Sequence, residues 1–118
     1  MNKAIALALG LLLLGGPKLS AQTMIQKNNI VLSSDLMTPE ALWAMGRIGG
    51  AVVSPDGKQV VYQVSYYSVK ENKSHTMLFV QSTNKVKPLS LTTDAISETD
   101  PAWIDGGKKI AFLREGQL

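Results

Sequence analysis

From residue 50 onward the chain alternates apolar and polar positions in short bursts. In Gln59-Val60-Val61-Tyr62-Gln63-Val64-Ser65, Val60, Tyr62 and Val64 fall on one side of an extended strand and Val61 on the other, because successive side chains point to opposite faces. Both sides carry apolar groups, so the strand is expected to be covered on both, as in a sheet stacked between neighbours. Similar bursts predict strands at about 50–54, 59–66, 76–81, 87–91, 101–104 and 108–114. Residues 68–74 read as the polar loop of a hairpin, 82–85 as a tight turn and 92–100 as a polar connection.

The turn before the second strand is Ser54-Pro55-Asp56-Gly57-Lys58. Pro55 sets φ for the first corner, Asp56 can hydrogen-bond nearby backbone, and Gly57 accepts the positive φ that closes a tight hairpin. An altered copy follows at Asp105-Gly106-Gly107-Lys108. Aligning Gly57-Lys58 with Gly107-Lys108 places Val60 on Ile110 and Tyr62 on Phe112, a repeat of 50 residues with one extra residue in the second turn. Four strands, a connection and two more strands at this period describe an all-β, incomplete β-propeller: one four-stranded blade and half of a second. Such arrays need about three or more repeats to be stable, so the sequence reads as the N-terminal piece of a longer protein.

Ahead of the strands, Thr38-Pro39-Glu40 is a helix start. Thr38 can cap free N–H groups, Pro39 suits the first helical position, and Glu40 is favoured at the positive helix end. A short helix is expected to continue to Arg47 and to end at Gly46, Gly49 or Gly50, with Trp43 docking it on the first sheet or on a partner domain. Residues 22–37 read as an extended lead-in with a short apolar insert, Ile30-Val31-Leu32. Residues 1–21 have the basic start, uncharged Leu- and Ala-rich run and small-residue end of a secretory signal peptide, with cleavage expected between Ala21 and Gln22. The apolar run falls short of the about 20 residues that span a bilayer; a retained anchor is the alternative. The expected organisation is thus signal peptide 1–21, lead-in 22–37, helix 38–49, first blade and connection 50–100, and start of a second blade 101–118.

Charge and composition narrow the partners. The net charge of +3 falls once Lys3 and Lys18 leave with the signal peptide, which leaves ten basic residues against nine acidic ones. No basic cluster remains, which argues against nucleic acid and against a membrane surface after cleavage. The absence of cysteine removes disulfides and a lipidated N-terminus, so a soluble exported product is expected.

A search for chemistry finds no catalytic constellation. His75 is the single histidine and reads as a partly exposed loop residue; no serine sits in a G-x-S-x-G elbow. Asp94, Glu98 and Asp100 lack calcium-loop spacing and read as a solvated connection, with Asp100 placed to cap the turn before Pro101. The turn glycines lack the pattern of a phosphate loop, and no cofactor or metal is expected. Asn72-Lys73-Ser74 satisfies the glycosylation sequon, a pattern frequent by chance. Tyr66-Tyr67 reads as a strand end with one ring packed and one exposed, or else as a peptide-binding surface.

Thr38-Pro39-Glu40-Ala41-Leu42-Trp43, then Gly46-Arg47, then Val53-Ser54-Pro55-Asp56-Gly57-Lys58 together resemble the mature N-terminus of bacterial prolyl oligopeptidase family serine peptidases, in particular the exported dipeptidyl-peptidase V type. The resemblance runs from about residue 36 to 115. It implies a propeller capping a C-terminal α/β-hydrolase domain, a serine exopeptidase releasing dipeptides from oligopeptide substrates, and missing blades plus that hydrolase domain as this segment's partners. None of the family's catalytic triad maps onto this chain, so it implies non-catalytic scaffold here. The rival reading is a TolB-like periplasmic propeller acting in protein–protein interaction, which shares the S-P-D-G-K turn; a small secreted β protein is a third.

Overall fold

The computed structural model describes residues 24–118; the expected signal peptide and its cleavage site at Ala21 and Gln22 lie outside the described residues. One short helix, α1 (Pro39–Ala44), precedes six strands: β1 (Arg47–Val53), β2 (Gln59–Ser68), β3 (Lys73–Ser82), β4 (Leu89–Ser90), β5 (Glu98–Ile104) and β6 (Lys109–Arg114). The first four form an antiparallel sheet in sequence order, and β5 pairs antiparallel with β6 in a second sheet. This is the expected layout of an incomplete propeller, one four-stranded unit and the first two strands of the next.

Cross-strand pairing sorts the residues of β2 and β3 into two faces, since directly opposed residues share a face. One carries Val61, Gln63 and Ser65 against Val80, Leu78 and Thr76; the other carries Tyr62, Val64 and Tyr66 against Phe79, Met77 and His75. On the first face Val61 and Leu78 are sealed from solvent. The second sheet meets the first there: the Trp103 indole N–H donates to the Val52 carbonyl at 2.9 Å, and the Asp100 amide donates to Gln63 Oε1 at 3.0 Å. On the other face Val64, Tyr66 and Met77 form a small buried cluster with Met24 and Ile25 of the lead-in packed against it, while Tyr62 stacks on Phe79 at 5.8 Å. The expectation of a sheet covered on both faces is met in part on each: Val61 and Leu78 are buried on the first, and Val64, Tyr66, His75 and Met77 on the other, while their neighbours stay half-buried.

Several element boundaries differ from the sequence reading, among them the fourth strand, expected over 87–91 and reduced to Leu89–Ser90. The helix stops at Ala44 rather than running toward residue 49, and Arg47–Gly50 belong to β1. The cause is tertiary: Gly46 passes so close to β2 that a Cβ there would stand 2.6 Å from a Tyr66 ring carbon and 2.8 Å from Val64 Cγ1. The chain is thereby drawn onto the sheet instead of completing another helical turn. The hairpin loop expected over 68–74 narrows to a four-residue turn, 69–72, because Ser68 still pairs with Lys73. Likewise β5 starts at Glu98, with a register shift between Thr99 and Ala102 that accommodates Pro101.

Candidate functional site

The first turn forms by local chemistry. The Gly57 amide donates to the Ser54 carbonyl at 2.9 Å, and Asp56 Oδ1 accepts from the Ser54 hydroxyl at 2.6 Å and the Lys58 amide at 3.0 Å. These donors, the serine hydroxyl first, hold the Asp56 carboxyl below the usual carboxylate range. Gly57 has φ +70, as the turn requires. In the second copy Asp105, Gly106 and Gly107 make a single 3-10 turn, all at positive φ. Gly107 lies against the first turn, where a Cβ would come within 2.9 Å of Pro55 Cδ. The two turns singled out in the sequence are therefore neighbours in space, Pro55 resting on Gly107.

At the opposite end of β1 and β2, α1 carries the aromatic group. Thr38 accepts the Ala41 amide at 3.2 Å and Pro39 opens the helix, both as expected. Trp43 meets Tyr67 edge-on at 5.6 Å, and the Arg47 guanidinium lies over both rings, 4.5 Å from one and 4.8 Å from the other. Trp43 thus docks the helix on the first sheet, through an edge-on contact with Tyr67 and the cation–π approach of Arg47. A trough of about 590 Å³ beside it is lined by Met24, Ile25, Glu40, Trp43, Tyr67 and Glu71 among others. Of the tyrosine pair, Tyr66 is buried, which pushes its phenol up, and Tyr67 is half-buried.

The most connected polar cluster lies at the seam between the sheets. Glu98 is 3 % exposed; its carboxylate accepts from the Thr92 hydroxyl at 2.7 Å and from Arg114 at 3.2 Å. The other guanidinium nitrogen of Arg114 pairs with Asp94, and Asp94 Oδ1 accepts the Ile96 amide at 3.0 Å. The Ile96 amide first and Arg114 second hold the Asp94 carboxyl below the usual range. Thr92 passes the network to β3 by accepting the Leu78 amide at 2.9 Å. This corrects the reading of Asp94 and Glu98 as a solvated connection. Asp100 is the exposed member, at φ +52, accepting from the Thr99 hydroxyl.

His75 is also corrected. It is a strand residue of β3, 2 % exposed, with Nδ1 at 2.9 Å from the Ile25 carbonyl and Nε2 at 3.2 Å from the Ile96 carbonyl. The signal was available: His75, Met77 and Phe79 alternate onto one strand face, and polar loop residues before them concealed it. Both ring nitrogens are engaged by backbone carbonyls, so the ring is not paired with a nucleophile. Among the described residues no group of three or more acidic or histidine side chains is placed to hold a metal. The geometry is that of two sheets pinned at a seam.

No family model matches the chain, and no solved structure matches it significantly. Curated relatives do. The chain is 45% identical over 87 residues to Dipeptidyl-peptidase 5 of Porphyromonas endodontalis, and 38% identical over 77 residues to Dipeptidyl-peptidase 5 of Porphyromonas gingivalis. These matches take in 72% and 65% of this chain but 13% and 11% of the relatives, so the chain spans about an eighth of their length. The resemblance drawn from the helix motif and the first turn is thus a true homology: over most of its length this chain is related to part of the dipeptidyl peptidases.

Proposed function

We propose that this chain is the propeller-side opening segment of an exported serine exopeptidase that releases dipeptides from oligopeptides, and that the segment is itself non-catalytic scaffold. The carrying observation is the 45% identity to a dipeptidyl peptidase over a stretch that is 13% of that protein. The seam supports a scaffold role, since Glu98, Arg114, Asp94 and His75 are spent on joining sheets rather than gathered around a nucleophile. Export rests on the signal-like residues 1–21, and the product acts in the periplasm or outside the cell. The substrate is an oligopeptide, bound with the help of later blades and a hydrolase domain.

The test is an assay of the polypeptide encoded by the uninterrupted gene on a fluorogenic dipeptidyl amide. Release of the dipeptide, blocked by a serine-directed inhibitor, is expected from the longer polypeptide, and background rates from residues 22–118 alone. A gene ending after its last blade, with no hydrolysis, would favour the TolB-like reading. N-terminal sequencing of the exported product is expected to begin at Gln22.

A further inference from the structure

We propose that His75 is a clasp that straps the N-terminal lead-in onto the first sheet, and that the strap closes fully only when the imidazole carries both of its protons. The geometry has two parts. Nδ1 faces the carbonyl of Ile25, fifty positions upstream, and Nε2 faces the carbonyl of Ile96 in the connection between the sheets. One side chain therefore joins the lead-in, β3 and the seam. Around it, Met24 and Ile25 lie on the Val64, Tyr66 and Met77 cluster, so the strap brings apolar cover to the face that the second sheet leaves open. Past Ile25 the lead-in is exposed, including Val31 at 91 %. The clasp is thus the polar fastening of an otherwise loosely held segment.

Carbonyl oxygens only accept hydrogen bonds. A singly protonated imidazole donates to one of them and turns a lone pair toward the other, whereas a doubly protonated ring donates to both. The strapped arrangement consequently gains a hydrogen bond when the ring is charged and loses it when the ring is neutral. The strap is therefore tighter at lower pH and slackens as pH rises and the ring gives up its second proton. The ionisable groups placed near the ring are Tyr66 opposite on β2, Lys73 on the same face of β3 and Asp94 in the connection.

Hydrogen exchange on the full-length protein tests this, with rates corrected for intrinsic pH dependence. Amides of residues 24–27 are expected to be about fivefold better protected at pH 5.5 than at pH 8, the effect of one hydrogen bond. In His75→Gln that pH dependence disappears, and in His75→Ala the segment exchanges like the exposed residues 30–36. Imidazole nitrogen shifts of the wild-type protein, assigned by difference against His75→Gln, are expected to show both ring nitrogens protonated at pH 5.5. Protection independent of pH in the wild type would overturn the clasp, as would a pH dependence surviving in His75→Gln or a neutral ring at pH 5.5; the two wild-type readings hold even where a variant fails to fold.

Discussion

Strands β2 and β6 follow equivalent turns and carry equivalent apolar alternations, yet they end in different surroundings. β2 is flanked by β1 and β3, and its Val61, Val64 and Tyr66 are buried at 0 %, 7 % and 8 % exposure. β6 has β5 on one side only, and none of its six residues is buried. Ile110 and Phe112, which align with Val60 and Tyr62, remain half-buried. The alternation of a strand records what its faces are built to meet; burial follows only where a neighbouring strand and sheet are present to meet them.

That contrast can be broken by substitution. Leu78→Ala removes a fully buried side chain and is expected to cost about 3 kcal/mol in urea unfolding. Phe112→Ala in the same polypeptide is expected to cost about half as much, because its ring is only half-buried; equal losses would erase the distinction between the sheets. Glu98→Ala leaves the Thr92 hydroxyl and Arg114 without their shared acceptor and is expected to cost about 2 kcal/mol, loosening the seam rather than either sheet. Gly46→Ala drives a methyl into Tyr66 and Val64, also at about 2 kcal/mol. Gly57→Ala strains a turn at φ +70 and costs about 1 kcal/mol, though it meets no neighbouring atom.

The smallest expected effect is in acid. Asp56 and Asp94 are both held below the usual carboxylate range in the folded chain. Their contribution is complete above the unfolded aspartate range near about pH 4 and is lost as pH falls through their lower folded values. Asp56→Asn acts on the first turn and Asp94→Asn on the seam. Each is expected to flatten the acid limb of a stability–pH profile, and an unaltered limb in both would contradict the assigned hydrogen bonds.

What was legible in the sequence was local. The Ser54–Lys58 turn, the Thr38 cap and the strand alternation each depend on residues within a few positions of one another, and each stands where it was read. The helix end was not legible, because Gly46 is held by Tyr66 and Val64, some twenty positions away. His75, Glu98 and Arg114 were missed for the same reason: apart from Thr92, six positions before Glu98, their partners lie 16 to 50 positions distant, and a lone polar residue carries no sign of them. Trp43 stood out as a large apolar group on a short helix, but its partners Tyr67 and Arg47 came only with the fold.

The central proposal is that β6 becomes an inner strand of a propeller blade when the polypeptide continues. Amide exchange of Lys109–Leu113 tests it most directly, measured in residues 24–118 and again in the longer polypeptide proposed above; the Arg114 amide is already held by the Gln117 carbonyl. The account predicts fast exchange of the amides turned away from β5 in the shorter chain and slow exchange in the longer one. Equal rates in the two would mean that β6 is an edge by design, and that the second sheet is complete with two strands.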